Sequence, residues 1–545
     1  MKKQATFLLC AILLLLINGI KAQTDNGSSV KPYFKSGNSV LFGKDIIINN
    51  NVNQNQRNVV ICSAFNGWLY AAYSYINMSL GFPSLTILKS EDNGISWSIL
   101  RDGLDPVING EFNSLDIIAT GDSISNITVY LASLVSNFSL GIGQTYVTGF
   151  NGETGDPEYQ LVNEYGGYDV AISSDFMYPS TNSNPFSIGV LYSKNSNQKD
   201  SIIFRSSSNG GISLDNKKIV AVSSQRFHKV SLSYGRSVSQ NSGRYFAVWE
   251  EKNDYNSSVG HIFTAHSEPD FNSSFTAPVK LDSLDATAIG NSRNPVISCQ
   301  NNNLDNDSLN LTEVVLFDKY LPADNKYDIE GFYNMTSAST NNFKQFTLSS
   351  SADNKQQPDM NFNPFDSTFM VTYYDSTTQK LPFLSKTLNM TNPNVWQVVS
   401  SGYNDDTNLA APYPKVALDI GQQQGVDVWA NGVIGSNGIA LFDAPYSTWT
   451  GISGGGQKEA KENFWIYPNP CTTIIKIGFE LKTEEQVNIT LFNLISKPMG
   501  IITDRLYTYG IHLLIQDVSF LTPGCYLLTY KHSNTIETRE LFIIR

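Results

Sequence analysis

The stretch YFAVWEE, residues 245–251, is too short for a typical globular helix and rich in aromatic and β-branched side chains, the composition of a strand packed on both faces. Similar runs return as WLYAAYS from Trp68, VYLASL from Val129, SIGVLYS from Ser187, VVLFDKY from Val314, FMVTYYD from Phe369 and GVDVWAN from Gly425. Their spacing of roughly 55 to 70 residues is that of a repeated supersecondary unit. A strand-like segment tends to precede each run, as in KVSLSYG from Lys229, NPVISC from Asn294, PDMNFN from Pro358 and PKVALDI from Pro414. Two more usually follow, as in HIFTAHS from His261 and APVKLD from Ala277. Four strands per unit arranged radially bury both sheet faces and leave only short edges. The pattern predicts an all-β chain with a seven-bladed β-propeller over residues 34–447. Stacked β-sandwiches are the alternative that shares this spacing.

The last repeat is one strand short, while SVLFGKDIII from Ser39 is a spare strand-like segment before the first. Pairing the two would close a ring and remove an open edge.

Across 545 residues the hydrophobic fraction is 41%, the charged fraction 16% and the aromatic fraction 12%, a balance that excludes intrinsic disorder. A net charge of -12 and a pI near 5.0 oppose binding to a phosphate backbone or an anionic bilayer. The N-terminus reads MKKQATFLLCAILLLLINGIKAQ, with two lysines, a short apolar run and a small residue before Gln23. That is a secretory signal peptide over residues 1–22, cleaved between Ala22 and Gln23. It implies delivery by the Sec machinery. Lipidation at Cys10 is disfavoured because Leu9 stands where a small residue is needed. No other stretch has the length and apolarity of a membrane span, so a mature protein without a transmembrane segment is expected. Of the four remaining cysteines, Cys471 and Cys525 share the C-terminal segment; a bridge and two separate thiols both remain open.

The stretch SEDNGISW, residues 90–97, carries Ser90, Asp92, Gly94 and Trp97 in the order Ser-x-Asp-x-Gly-x-x-Trp. It resembles the Asp box of sialidase-type and related propellers, and SSNGGISL from Ser207 resembles a degenerate copy. The residues read as a hairpin turn: Ser90 and Asp92 bind turn backbone, Gly94 takes a left-handed conformation and Trp97 packs between sheets. The motif is structural.

A glycine-rich spacer, residues 451–463, separates this region from a segment of regular alternation. Ile475, Ile477, Phe479 and Leu481 form one strand, and Val487, Ile489 and Leu491 a second. Further strands run from Ile511 to Ile515, after the Pro523-Gly524 turn, and through RELFIIR at the end. Together they predict a small antiparallel β-sandwich over 464–545. Its opening Tyr467-Pro468-Asn469-Pro470, its LFN-type central strand and its Leu-x-x-Gly-x-Tyr element from Leu521 through Gly524 to Tyr526 resemble the C-terminal sorting domain (Por-type, type A) of the type IX secretion system of Bacteroidetes. SKPMG from Ser496 departs from the tighter Gly-Lys turn common there. The resemblance implies a folded passenger handed from the periplasm to the type IX machinery and placed on the outer cell surface, at the outer membrane, or secreted. The spacer is extended backbone of the kind a processing protease needs.

Six Asp-Ser-containing tripeptides, at Asp122, Asp200, Asp282, Asp307, Asp366 and Asp375, resemble the O-glycosylation signal of exported Bacteroidetes proteins. Few signs of chemistry accompany them. A sialidase-like glycoside hydrolase on this scaffold would need clustered arginines for the substrate carboxylate, a tyrosine nucleophile with its glutamate and an acid/base aspartate. Arginines are sparse, and Arg293-Asn-Pro falls far too late in the chain for the family's early Arg-Ile-Pro. There is no G-x-S-x-G elbow. His261 and His266, five residues apart along a strand, face opposite ways and share no metal; no metal site and no catalytic residue is assigned. The loops NNNLDNDSLN and GYNDDTN offer oxygen ligands for a structural calcium but lack an EF-hand pattern, and no other cofactor is implied. The reading favoured by the residues is a non-catalytic propeller that binds glycan or protein, with no nucleic-acid partner. The hydrolase is the alternative. Two or more arginines with carboxylates and a tyrosine at the mouth of the axis would distinguish them.

Overall fold

The computed structural model describes residues 41–543 apart from 447–463, 468–473 and connecting loops, of which 175–186, 283–290 and 302–310 are the longest. The signal peptide with Ala22 and Gln23, the spacer, Pro468, Asn469, Pro470 and Cys471 therefore lie outside the described residues. The chain divides into two compact units, a large one over Gly27–Trp449 and a second holding Thr450–Arg545. Both are all-β, with no helix among the described residues.

In the large unit, five antiparallel sheets have four strands and a sixth has seven. The first sheet runs Gln54–Ser63, Leu69–Asn77, Pro83–Ser90 and Ser98–Arg101 in simple up-and-down order. The sheets led by Arg226–Arg236, Ser292–Cys299 and Lys355–Asn363 repeat it. The seven-stranded sheet departs from the sequence pattern of separate four-strand units. Its cause is the 18-residue strand Pro157–Ser174, whose first half pairs with Gly143–Asn151 and whose second half pairs with Ile188–Ser196. The two ladders meet at Gly167, opposite Gly143 on one side and Lys194 on the other. A side chain there would strike Thr145 Oγ1 at 2.3 Å, so the crossing needs glycine.

The last sheet draws its fourth strand from the other end of the chain. Ile46 and Ile47 pair with Phe442 and Leu441, beside Gln424–Asn431 and Lys415–Asp419, and Leu41–Phe42 pairs with Pro445–Tyr446.

The leading strands pack in succession, and the last, Lys415–Asp419, lies against the first, Gln54–Ser63. Apolar clusters straddle every step. Tyr70 and Ile87 meet Ile117 and Val129; Trp249 and Tyr245 meet Phe204 and Leu191; Val426 and Phe442 meet Leu69 and Tyr73. Tyr70, Tyr192, Trp249 and Trp429 are fully buried, each contributing about 150–250 Å² of buried surface. They hold sheets together; none faces solvent as a sugar platform would.

The second unit has a three-stranded sheet, Phe464–Tyr467, Ile474–Leu481 and Gly510–Asp517, and a four-stranded one, Pro498–Tyr507, Glu485–Asn493, Gly524–His532 and Thr535–Ile543. Its apolar core contains Ile475, Ile477, Phe479 and Leu481 with Val487, Ile489, Leu491 and Tyr530, which is the alternation read from sequence. Two strands escaped that reading. Phe464–Tyr467 is short, and Pro498–Tyr507 leaves Met499, Ile501 and Leu506 exposed, so its pattern does not alternate toward the core.

Candidate functional site

The leading strands of successive sheets surround a cavity of about 840 Å³ in the large unit. Side-chain bonds to the neighbouring backbone accompany each step around it. Asn58 Nδ2 donates to Phe112 O at 2.8 Å. Asp116 Oδ2 accepts from Ile172 N at 2.9 Å, Asp169 Oδ2 from Val230 N at 2.8 Å and Asp359 Oδ2 from Val416 N at 2.8 Å. Ser231 Oγ accepts from Ile297 N at 3.3 Å, Asp318 Oδ1 from Gln357 N at 2.8 Å and Gln56 Oε1 from Ala440 N at 2.7 Å. Several leading strands carry a bulge near these positions, which re-aims side chains. Asn58, Asn294, Gln357 and Tyr413 adopt positive φ of 40° to 56°, and all four line the cavity.

Charge is concentrated on its wall. Lys415 Nζ meets Asp359 Oδ1 at 3.0 Å. Although 39% of the Lys415 side chain is exposed, that surface faces the surrounded cavity. Burial works against its charge, but Asp359, Asp116 and Asp169 prevail and raise its pKa. Burial pushes Asp116 up to about 6, against the Ile172 N–H and Lys415. Burial likewise raises Asp359, with Lys415 opposing. Arg57 is the only arginine in the lining among the described residues, tied to Glu111 at 3.2 Å. Asn55, Asn113, Ser114, Ser298 and Asn361 supply uncharged polar surface.

None of these acids was singled out from sequence. The available signal was a lone charge inside an otherwise apolar leading strand, in SLDII, YDVAI, PDMNF and PKVAL. His261 Nδ1 instead contacts Asp282 Oδ2 at 2.7 Å. His266 is buried, and desolvation lowers its pKa to about 4. His228 stacks on Tyr168 with ring centres 6.2 Å apart. Among the described residues no group of three or more His, Cys, Asp or Glu is placed to hold a metal ion. Most of the two acidic loops lies outside the described residues. Cys62 and Cys299 are buried free thiols.

The turn at Ser90–Trp97 is built from its own side chains. Ser90 Oγ accepts from Gly94 N at 2.8 Å and donates to Asp92 Oδ1 at 2.8 Å; Asp92 Oδ1 also accepts from Ser96 N at 2.9 Å. Gly94 has φ of +87°, and a side chain there would meet the Phe442 ring at 2.1 Å. Trp97 donates from Nε1 to Gly94 O at 3.0 Å and meets Phe442 edge-on. At Ser207 the same bonds recur with asparagine for aspartate: Gly211 N to Ser207 Oγ at 2.8 Å and Ser213 N to Asn209 Oδ1 at 3.0 Å. A third turn shares one feature without the sequence pattern. Trp396 Nε1 donates to Pro393 O at 2.9 Å and its ring stacks on Phe346.

In the second unit, Tyr467 ends the first strand and Gly524 opens a later one. Tyr526 is buried, and its hydroxyl donates to Thr522 O at 2.9 Å. With Leu521 in the core, the Leu-x-x-Gly-x-Tyr element is a turn pinned at both ends. Cys525 lies in the strand Gly524–His532.

Residues 465–545 match the family model described as "Secretion system C-terminal sorting domain". This tail is a type IX sorting domain. The chain is accordingly exported to the cell surface or secreted, and its tail engages the secretion machinery. No curated protein matches the chain. Among solved structures, a protein of unknown function from Dyadobacter fermentans is similar at 12% identity, covering 74% of this chain and 98% of its own, with a TM-score of 0.43. An α-L-arabinanase of Penicillium chrysogenum, complexed with arabinobiose, matches at 11% identity, 74% and 98% coverage and a TM-score of 0.40. The NanB sialidase of Streptococcus pneumoniae matches at 10% identity, 74% and 70% coverage and a TM-score of 0.39. No helix among the described residues is long and apolar enough to cross a membrane.

Proposed function

We propose that the large unit is a seven-bladed β-propeller bearing Asp-box turns, and that it binds a glycan or protein ligand without catalysis after export. Seven blades follow if the long strand Pro157–Ser174 serves two blades and Ile46–Ile47 completes the last. In this reading a Sec signal over residues 1–22 takes the chain to the periplasm. A type A tail then directs it outward, and the spacer is the processing site.

The observation that carries the binding reading is the commitment of most of the cavity's charges to shape, Lys229 in the lining being the exception. Arg57 is tied to Glu111, Lys415 to Asp359, and Asp116, Asp169 and Asp359 each hold a neighbouring backbone N–H. A carboxylate fixed by a buried N–H is a poor candidate for proton transfer on every turnover, because each protonation weakens that bond.

The test is the protein purified from culture medium, screened on a glycan array and assayed with fluorogenic sialosides and arabinosides. Binding without turnover is expected. Hydrolysis abolished by Asp116→Asn or Asp359→Asn would replace this reading with the hydrolase. Mass spectrometry of medium and outer-membrane fractions tests the route: an N-terminus at Gln23 and loss of the tail are expected, and an intact N-terminus refutes the signal peptide.

A further inference from the structure

The last sheet of the large unit, which joins its two ends, carries its charge differently from the cavity wall. Asp427 on Gln424–Asn431 stands opposite Asp443 on Ile439–Asp443, and Cβ atoms in such a pair are about 4.5–5.5 Å apart. Both residues are 0% exposed. Ala444 N donates to Asp443 Oδ1 at 2.7 Å, whereas neither carboxyl oxygen of Asp427 has a hydrogen-bond partner. The strand of Asp443 also receives the N-terminal strand, since Ile46 and Ile47 pair with Phe442 and Leu441. Like charges this close do not both persist in a buried site without a cation.

Among the described residues no cation pairs with Asp427. Gly425 and Trp429 share its face of the strand, and that face packs on Met370, Tyr374, Phe383 and Tyr403 of the preceding sheet and the loop after it. Tyr374 and Tyr403 are buried there, and the Tyr403 hydroxyl lies 3.0 Å from Thr372 Oγ1. The nearby lysines are committed: Lys380 Nζ donates to Asn404 O at 3.0 Å, and Lys415 meets Asp359. The seam itself adds acids rather than bases. Asp45, directly before Ile46, accepts from Asp405 N at 3.0 Å, and Asp405 Oδ2 accepts from Asp45 N at 3.2 Å. Burial, then Asp443 and then Asp359 all raise the pKa of Asp427.

We propose that a proton held between Asp427 and Asp443 latches this seam, keeping Ile439–Asp443 paired both to Gln424–Asn431 and to the N-terminal Ile46–Ile47, and that its loss to solvent loosens both pairings. With the proton in place, one carboxyl donates its O–H to the other and the pair carries a single charge. Without it, two like charges remain in contact beside Asp359, and parting the strands to admit water relieves them. Ile46–Ile47 is an edge strand with no other partner in that sheet, so it is released with its neighbour. The sign follows from linkage. The closed seam holds the proton where the opened one has lost it, so the latch weakens as pH rises from the ordinary aspartate range toward the folded value. Over that window opening increases by up to about tenfold per pH unit. The device does not depend on what the cavity binds.

The test is hydrogen–deuterium exchange of the secreted protein from about pH 6 to about pH 8.5, read by mass spectrometry over Ile46–Ile48 and Ile439–Asp443. The strand Leu69–Asn77 of the first sheet is the reference, and it corrects for the base-catalysed rise common to all amides. The seam segments should gain on the reference as pH rises, by up to about tenfold per unit. A seam that only keeps pace with the reference overturns the inference. Asp427→Asn keeps the shape and does not ionise, so it should abolish the extra gain and leave the seam closed at the highest pH. An unchanged gain in that variant overturns the role of Asp427. Chelation with EDTA at the lowest pH separates the rival counter-charge: no change is expected, and a loosening that calcium reverses overturns the proton in favour of a metal ion. The comparison of seam and reference in the parent protein does not depend on the variant folding.

Discussion

The large unit and the tail solve the same problem, fixing strands in register, with different materials. The tail's core is apolar almost throughout: among its described residues only Thr503 and Gln516 are buried polar groups. In the large unit Asp169, Asp200, Glu250, Glu313, Asp318, Asp427 and Asp443 are all buried. A two-sheet sandwich is set by alternation, because a one-residue slip turns every apolar side chain outward. Sheets packed in a closed succession bury both faces, so alternation says little about their mutual position. Directional bonds from side chain to neighbouring backbone supply what alternation cannot. The tail should therefore be sensitive to lost volume, and the large unit to lost hydrogen bonds.

The largest expected effect is in the tail. Phe479 is fully buried and packs on Tyr507, His512 and Tyr530. Phe479→Ala should cost about 3–5 kcal/mol, a large share of the stability of so small a unit. Fractionation should then show the passenger held in the periplasm; normal export would break the link between this fold and sorting. In the large unit, Asp359→Ala removes the partners of both Lys415 Nζ and Val416 N. A loss of about 2–3 kcal/mol is expected, since the cavity lets solvent reach the lysine. Asp359→Asn, which keeps an acceptor for the N–H, should cost about half that by denaturant unfolding. Ser90→Ala loses the bond to Gly94 N and should cost about 1 kcal/mol. Ser207→Ala should match it if the two turns are equivalent.

Legibility in the sequence follows the same division. The tail's central strands were readable because Ile475 to Leu481 and Val487 to Leu491 alternate toward one core. The recurring runs around Tyr70, Trp249 and Trp429 were readable because strands buried on both faces are continuously apolar. The merging of sheets at Gly167 was not, since a strand that serves two ladders looks locally like any other. Asp116, Asp169 and Lys415 were hidden for a related reason. A charge is informative only when its partner is known, and theirs come from strands 56 to 61 residues away.

The contrast can also be tested by pH, where the smallest expected effect lies in the tail. Burial raises Asp116 to about 6 and Glu313 to about 8, the latter against the Asn334 bond and Arg244. For an acid whose folded pKa exceeds its unfolded value, the folded state holds the extra proton, so stability increases as pH falls through the folded value. These two groups should make the large unit more stable at pH 5 than at pH 8.5, and Glu313→Gln should flatten the upper part of that rise. The tail carries the opposite sign. Glu485 accepts hydrogen bonds from Ser533 Oγ at 2.7 Å, His532 Nδ1 at 2.8 Å and Thr483 Oγ1 at 3.0 Å, which lower its pKa to about 2. Its contribution is complete above the ordinary glutamate value and is lost as pH falls toward 2. Glu485 is only partly buried, at the start of its strand, so the effect is small and screened by salt. Thermal unfolding of the intact chain from pH 8.5 to 2.5 should show two transitions that move apart in mild acid. Glu485→Gln should remove the acid sensitivity of the tail transition alone, and a shift in both would mean that the two units unfold as one.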